Sequence, residues 1–326
     1  MMSASDPRLV RIALISLSIL TAVFWIVGLI LWIANGDLWA FIRLVYLGTG
    51  LGITLGIWFK VPRRKRPKAR RWVMFVIGSF FLIYIIFGRV GDIQIEGFFF
   101  ALATGILANA FNHYMIGKII GPVFFGRIWC GWACWTMAFL DLLPFKDSDG
   151  RIPGKWSIVR YAHFGLSLFV VGLLVFGFGY GRFEAASLIW LGWFLAGCLL
   201  YYLIGIVLAF ALRDNRAFCK YVCPNPVLFK LGSRFSLLKV KGNPKDCDDC
   251  DICSLVCPMD VNVADYVKSN RRVLSTECIL CQDCITACPH EALNLSFGLD
   301  LGGKEWLHTR EQKDAPKRSA SPELKV

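Results

Sequence analysis

Charge is scarce in this sequence. Only 18% of its 326 residues are Asp, Glu, Lys or Arg, against 56% that are hydrophobic. A chain so apolar at this length is not a soluble cytosolic enzyme, a secreted disulfide scaffold or a disordered polypeptide. Acid is scarcer than base, with 23 Asp+Glu against 36 Lys+Arg. Yet the basic excess does not sit on a soluble domain, where a nucleic-acid-binding protein would need it. Residues 1–240 hold 25 basic and 9 acidic groups, while residues 241–300 hold 5 and 10. Bond-making motifs are missing too: there is no P-loop, no G-x-G-x-x-G after a strand and no nucleophile with a positioned base. Aromatic residues, by contrast, are plentiful. Twelve Trp and twenty-six Phe suit a lipid-facing protein with aromatic belts.

Six runs are apolar enough to cross a bilayer, which takes about 20 helical residues. They cover 12–33, 38–59, 72–87, 97–117, 161–180 and 185–212. The second contains only Arg43, and the third is extended by snorkelling of Arg71 and Arg89. The first is too long for the apolar part of a cleavable signal peptide, and a second span follows at once. Lys/Arg bias orients them. Residues 60–71 (KVPRRKRPKARR) carry eight basic groups, and 127–160 carry Arg127, Lys146, Arg151, Lys155 and Arg160. The opposite loops carry only Arg89 and Arg182. This pattern predicts a multi-pass inner-membrane protein with N- and C-termini in the cytoplasm.

The composition changes after the last span. Residues 213–240 are basic and amphipathic, and 241–300 are acidic and cysteine-rich. We therefore expect a two-helix hairpin in 1–60, a four-helix membrane domain in 61–240, a soluble domain in 241–300 and a tail in 301–326. The tail, poor in apolar residues from 309 onward, is expected to be disordered.

Eight of the thirteen cysteines fall in 247–288. Residues 247–258 read CDDCDICSLVCP and 278–289 read CILCQDCITACP. Both are C-x2-C-x2-C-x3-C-P, the spacing of bacterial two-cluster ferredoxins. Three closely spaced thiolates wrap three corners of one [4Fe–4S] cube, and the fourth, turned by its proline, reaches the other cube. This predicts Cys247, Cys250, Cys253 and Cys288 on one cluster, and Cys278, Cys281, Cys284 and Cys257 on the other. Zinc wants four ligands, often as two C-x2-C pairs, and fits the doubled pattern poorly. The fold class expected is thus membrane all-α, with about six transmembrane helices, plus a C-terminal α+β two-cluster ferredoxin-like domain.

Four more cysteines form two C-x3-C pairs, Cys130/Cys134 in GRIWCGWACW and Cys219/Cys223 in RAFCKYVCP. On a helix this spacing puts both sulfurs on one face. Each pair follows an inner span end and is preceded by an arginine, Arg127 or Arg216, as in a weak internal repeat. Brought together, the four thiols could hold a third [4Fe–4S] cluster. The competing reading is packing cysteines or a transient dithiol. Cys198, alone in the sixth span, reads as a small core residue.

Spans followed by C-x3-C pairs and then a cytoplasmic two-cluster ferredoxin resemble the NapH/NosR-type membrane polyferredoxins. The NapH-type subunits of periplasmic nitrate reductase systems are the best match. The resemblance covers about residues 71–297, beginning with Arg70-Arg71-Trp72. Family members carry the two pairs on four spans, so the first two spans here are an added hairpin. Proline usually follows both pairs in the family; Trp135 departs from that and Pro224 keeps to it. The resemblance implies electron transfer at the membrane, from menaquinol or ubiquinol to an iron–sulfur partner, as in a quinol dehydrogenase component. It also admits reduction or maturation of a metalloenzyme. A membrane-tethered ferredoxin scaffold ranks last, because two clusters exceed what an anchor needs. Lipid and a membrane or peripheral redox protein are the expected partners; nucleic acid is not.

His113, in FNHYMIG, and His163 are polar residues in or near spans, and so candidates for a quinone or haem vicinity; the competing reading, which ranks ahead, is a histidine satisfied by neighbouring backbone. Haem would need the two rings to face each other. Arg43 is expected to snorkel, and Asp141 to cap or pair locally. Asp246, Asp248, Asp249 and Asp251 form an acidic surface that suits either steering of a basic redox partner or ordinary solvation.

Overall fold

In the computed structural model the described residues are 7–88, 92–106, 109–145, 148–180 and 188–310. Arg89, Lys146, Arg182 and the tail from 311 onward lie outside them. The chain opens with three long helices, α1 (Pro7–Asn35), α2 (Leu38–Lys60) and α3 (Arg66–Gly88). Asp37 caps α2 by accepting from the Ala40 amide at 2.8 Å. Glycines on alternate faces of α2 let the three helices approach closely. Gly48 lies against Phe24 and Gly52 against Thr21 of α1, whereas Gly50 lies against Val76 of α3. Lipid tails offer no hydrophobic drive for association, so this small-residue packing is what joins helices in a bilayer. The outer faces stay apolar and exposed, as at Ile19, Ile26 and Ile33 of α1.

The fourth apolar run does not form the straight span expected for 97–117. It is divided into α4 (Ile95–Thr104), α5 (Asn109–Tyr114), a π-helical turn (Met115–Ile120) and α6 (Gly121–Phe125). Gly105 stops α4 with φ of 73°, a conformation that costs glycine little. Pro122 lacks the amide that a continuous helix would use. A further turn at Gly126 leads into α7 (Ile128–Trp132) and α8 (Trp135–Leu140). The paths 110–125 and 128–140 meet at 98°.

Contacts place both ends of this region against the C-terminal domain. The Arg63 guanidinium, just before α3, donates to the Ile285 carbonyl in the C-terminal domain at 2.7 Å. The Leu237 amide, entering that domain, donates to the Val123 carbonyl of α6 at 3.0 Å. A spanning α3 leads away from the C-terminal domain, so residues 92–125 must lead back.

Two more long helices follow: α9 (Val159–Gly172), continued by a π turn to Gly177, and α10 (Leu188–Leu212). Among the described residues five helices are long and apolar enough to span, or six if the bent path 110–140 counts as one. Short α11 (Ala217–Tyr221) and α12 (Pro226–Ser233) lead into the soluble domain. There, strand β1 (Leu238–Gly242) pairs antiparallel with β2 (Leu293–Phe297), Val240 opposite Leu295. Between the strands lie α13 (Ile252–Leu255), α14 (Val263–Lys268) and α15 (Asp283–Ala287).

Residues 301–310 correct the expectation of a tail beginning at 301. Leu307 bridges Val261 and Thr309 bridges Arg151. The ring of Trp306 packs on Tyr266, 4.4 Å between centroids. These apolar and backbone contacts tie the segment to the soluble domain and to the membrane-side loop at once.

Candidate metal centres

The soluble domain holds two cavities, each lined by four cysteines. Cys247, Cys250, Cys253 and Cys288 line one, together with Val267 and Leu293. Cys257, Cys278, Cys281 and Cys284 line the other, together with Val240 and Met259. All these thiols are free. Crossing arises locally: each of the helices α13 and α15 ends just before its fourth cysteine, and Pro258 or Pro289 turns the chain away. The loops repeat their backbone as well as their sequence. Asp249, Asp251 and Asp260 have positive φ, and so do Leu280, Gln282 and Glu291 at the matched positions of the second motif. Left-handed residues between ordinary ones turn successive amides towards a common centre, which suits an anionic group. Burial pushes the thiols of Cys253 and Cys257 up to about 12. A bound metal reverses that by stabilising the thiolate.

The remaining quartet comes from separate segments. Cys130 sits in α7 and Cys219 in α11; Cys134 and Cys223 each lie just past the end of the same short helix. Neither pair therefore occupies one helical face, contrary to expectation. The chain kinks at Ala133 in the first pair, and Pro224 follows the second. The four thiols nevertheless converge. Burial raises the Cys219 thiol, and the nearby thiols of Cys223, Cys134 and Cys130 raise it further.

This quartet abuts the Cys257-containing cavity. The Trp132 indole donates to the Leu280 carbonyl at 2.9 Å. A Cβ on Gly131 would overlap the carbonyl oxygen of Ile279. Arg70 clamps both sides, donating to the Gly131 carbonyl at 2.6 Å and pairing with Asp283 at 3.2 Å. Lys220, between the second pair's cysteines, reaches Asp260 of the soluble domain at 2.5 Å.

Charge at this junction is concentrated on Glu277, next to Cys278. Arg127, Arg151, Arg160 and Lys230 all pair with it, at 2.9, 3.1, 2.8 and 2.6 Å. Its side chain is almost wholly buried. Burial alone would raise its pKa; the four cations overcome that and hold it well below the usual carboxylate range. Asp141 does not pair locally, as expected from sequence, but across the fold with Arg216. Both arginines that precede the cysteine pairs are thus anchored by buried acids.

The two histidines keep separate company. His113 is ringed by Phe81, Trp129 and Trp135, at 5.8, 5.0 and 6.0 Å, and its Nε2 is buried without a hydrogen-bond partner. The Trp129 Nε1 is likewise buried and unpartnered. His163 instead uses Nδ1 with the Val222 carbonyl at 2.9 Å and packs on Tyr201. No ring contact joins the two histidines among the described residues. Arg43 pairs with Asp37 at 3.5 Å. Cys198 is buried and accepts from Gln94 at 3.0 Å. Asp248 pairs with His290 at 2.9 Å at the exposed rim of the Cys247 cavity.

Sequence reasoning missed Arg70, Lys118, Trp132 and Glu277. Lys118 was placed just beyond the fourth span; a lone lysine inside the apolar stretch MIGKIIGP was the available signal. Glu277 gave none, since its four cations come from distant segments.

Comparisons with known proteins agree with this architecture. A 4Fe-4S dicluster domain matches residues 246–293, and a 4Fe-4S binding domain matches 114–146 and 199–242. An uncharacterized protein of Methanocaldococcus jannaschii is 26% identical over 223 residues, 63% of this chain and 78% of its own. The nitrogen fixation protein FixG of Rhizobium meliloti is 25% identical over 283 residues, 72% of this chain and 50% of its own. The ferredoxin-type protein NapH of Haemophilus influenzae is 23% identical over 268 residues, 71% of this chain and 87% of its own. No solved structure matches the chain. Apolar spanning helices and iron–sulfur domains define a membrane-bound iron–sulfur protein of electron transfer. Within that class the chain is similar to the ferredoxin-type protein NapH and to FixG.

Proposed function

We propose that this protein passes electrons between the quinone pool and a redox partner through three [4Fe–4S] sites arranged in series. Cubane clusters, when bound, supply one-electron transfer. Cys130, Cys134, Cys219 and Cys223 hold the membrane-side site. Cys257, Cys278, Cys281 and Cys284 hold the middle one, and Cys247, Cys250, Cys253 and Cys288 the outer one. The observation that carries the order is the docking of Gly131 and Trp132 onto Ile279 and Leu280, which sets the membrane-side quartet beside the middle cavity. The doubled C-x2-C-x2-C-x3-C-P spacing favours clusters over zinc in the soluble domain.

At the membrane end, His113 Nε2 and Trp129 Nε1 are the buried, unpartnered groups that support a quinone headgroup site beside Cys130. At the outer end, Asp248 and its acidic neighbours present the Cys247 cavity to a basic partner. The basic stretch 60–71 lies on the side of the soluble domain, which supports a cytoplasmic placement of that domain in the inner membrane.

The test is iron, acid-labile sulfide and EPR on anaerobically purified protein, compared with the double variant Cys130→Ala/Cys219→Ala. About twelve irons falling to about eight is expected. About eight in both would remove the membrane-side site and leave a tethered ferredoxin. A quinone analogue is expected to slow cluster reoxidation; no effect would remove the link to the quinone pool.

A further inference from the structure

Three cations adjoin the Cys130–Cys134–Cys219–Cys223 quartet: the Arg127 carbonyl accepts from the Cys130 amide at 3.0 Å, the Arg216 guanidinium donates to the Cys130 carbonyl at 2.8 Å, and Lys118 packs on Trp129 and Trp135, which neighbour Cys130 and Cys134 in sequence. The two arginines are neutralised by Glu277 and Asp141. Lys118 has no carboxylate partner among the described residues, although only 2% of it is exposed. Aromatic faces enclose it instead. Its Nζ lies 5.4 Å from the ring centre of Tyr114, 5.2 Å from Trp129, 5.3 Å from Trp135 and 5.0 Å from Phe229. Two of these rings, Trp129 and Trp135, stand next to Cys130 and Cys134 in sequence, so the cage adjoins the cysteine quartet.

Ring quadrupoles attract an ammonium, by about 2 kcal/mol or somewhat more when it is desolvated. Burying a lone cation costs more than that, so the site calls for negative charge. Among the described residues the source that adjoins it is the quartet itself. A cubane held by four thiolates is anionic in both oxidation states and gains one further negative charge on reduction.

Resting on the membrane-side cluster proposed above, we infer that Lys118 is its charge partner: a positioning residue whose ammonium, caged by four aromatic rings, favours the reduced form. It sets this site apart from the two in the soluble domain. The fixed charge raises the potential of the membrane-side site above what the same four thiolates would give without it. Aromatic caging accounts for the choice of residue as well. It holds the charge in place without a carboxylate that would cancel it.

The experiment is an EPR-monitored redox titration of the full-length protein and of Lys118→Met and Lys118→Arg, with iron counted in each. Methionine keeps the length and apolar bulk and removes the charge. Lys118→Met is expected to lower the midpoint potential of the membrane-side site by at least about 59 mV, a tenfold change in its reduced-to-oxidised ratio for one electron. Lys118→Arg is expected to restore most of it, while the signals of the two soluble-domain sites stay unchanged. Loss of the membrane-side irons in Lys118→Met but not in Lys118→Arg would also support the charge role. An unchanged potential in Lys118→Met, or loss of those irons in both variants, would overturn it and leave Lys118 a packing residue. About eight irons in the unsubstituted protein would instead overturn the membrane-side cluster, and this role with it.

Discussion

The cysteines of the soluble domain and those of the membrane side are held in place by different means. In the soluble domain eight thiols lie within 42 residues, in loops whose left-handed turns recur at matched positions. Apolar side chains close the two cavities, and no arginine or lysine lines either. The membrane-side quartet draws two pairs from segments separated by two spanning helices. Buried ion pairs hold it: Arg216 with Asp141, Arg127 with Glu277, and Arg70 with Asp283. A local motif can build a metal cradle from its own loops. A dispersed one must be assembled by long-range contacts, and in a bilayer, where apolar burial adds little, charge pairs take over that task.

The comparison breaks most sharply at Glu277. Glu277→Gln leaves four cations around a neutral side chain. Removing one partner of a buried pair typically costs about 3–5 kcal/mol. We expect a matching fall in thermal stability, with membrane-side irons lost before those of the soluble domain. Iron loss in the reverse order would show that the ion pairs do not hold the quartet.

A smaller effect separates the two regions without touching charge. In Gly131→Ala the new methyl must displace the Ile279 carbonyl, an overpacking cost of about 1–3 kcal/mol. Both sets of irons are expected to remain, while electron exchange between the membrane-side and middle sites slows in rapid-freeze EPR. An unchanged rate would mean that this docking does not set the order. Smallest of all, Trp132→Phe deletes the hydrogen bond to Leu280, worth about 1 kcal/mol. Hydrogen exchange at the Ile279–Leu280 loop should rise, with the Cys247 loop unaffected.

Much of the protein was legible without the structure. Apolar length gave the membrane class and about six crossings, because a helix must satisfy its own backbone in lipid. The grouping of the eight cysteines into two sets follows from spacing alone, since the ligand-bearing loops are local. The break between Thr104 and Asn109 was harder to read. An apolar count sees continuity where Gly105 stops the helix. The C-x3-C spacing likewise suggested one helical face, whereas each short helix stops between its two cysteines.

By itself, then, the sequence determined the membrane character, the basic flank and the two cysteine sets of the soluble domain, each a property of composition or of neighbouring residues. Only the tertiary structure decided what surrounds the quartet. Lys118 meets four aromatic rings drawn from α5, α7, α8 and α12, and Glu277 meets cations from four separate segments. The reason is physical. Electrostatic energy depends on distance in space and on burial, and neither is encoded in the spacing of residues along the chain.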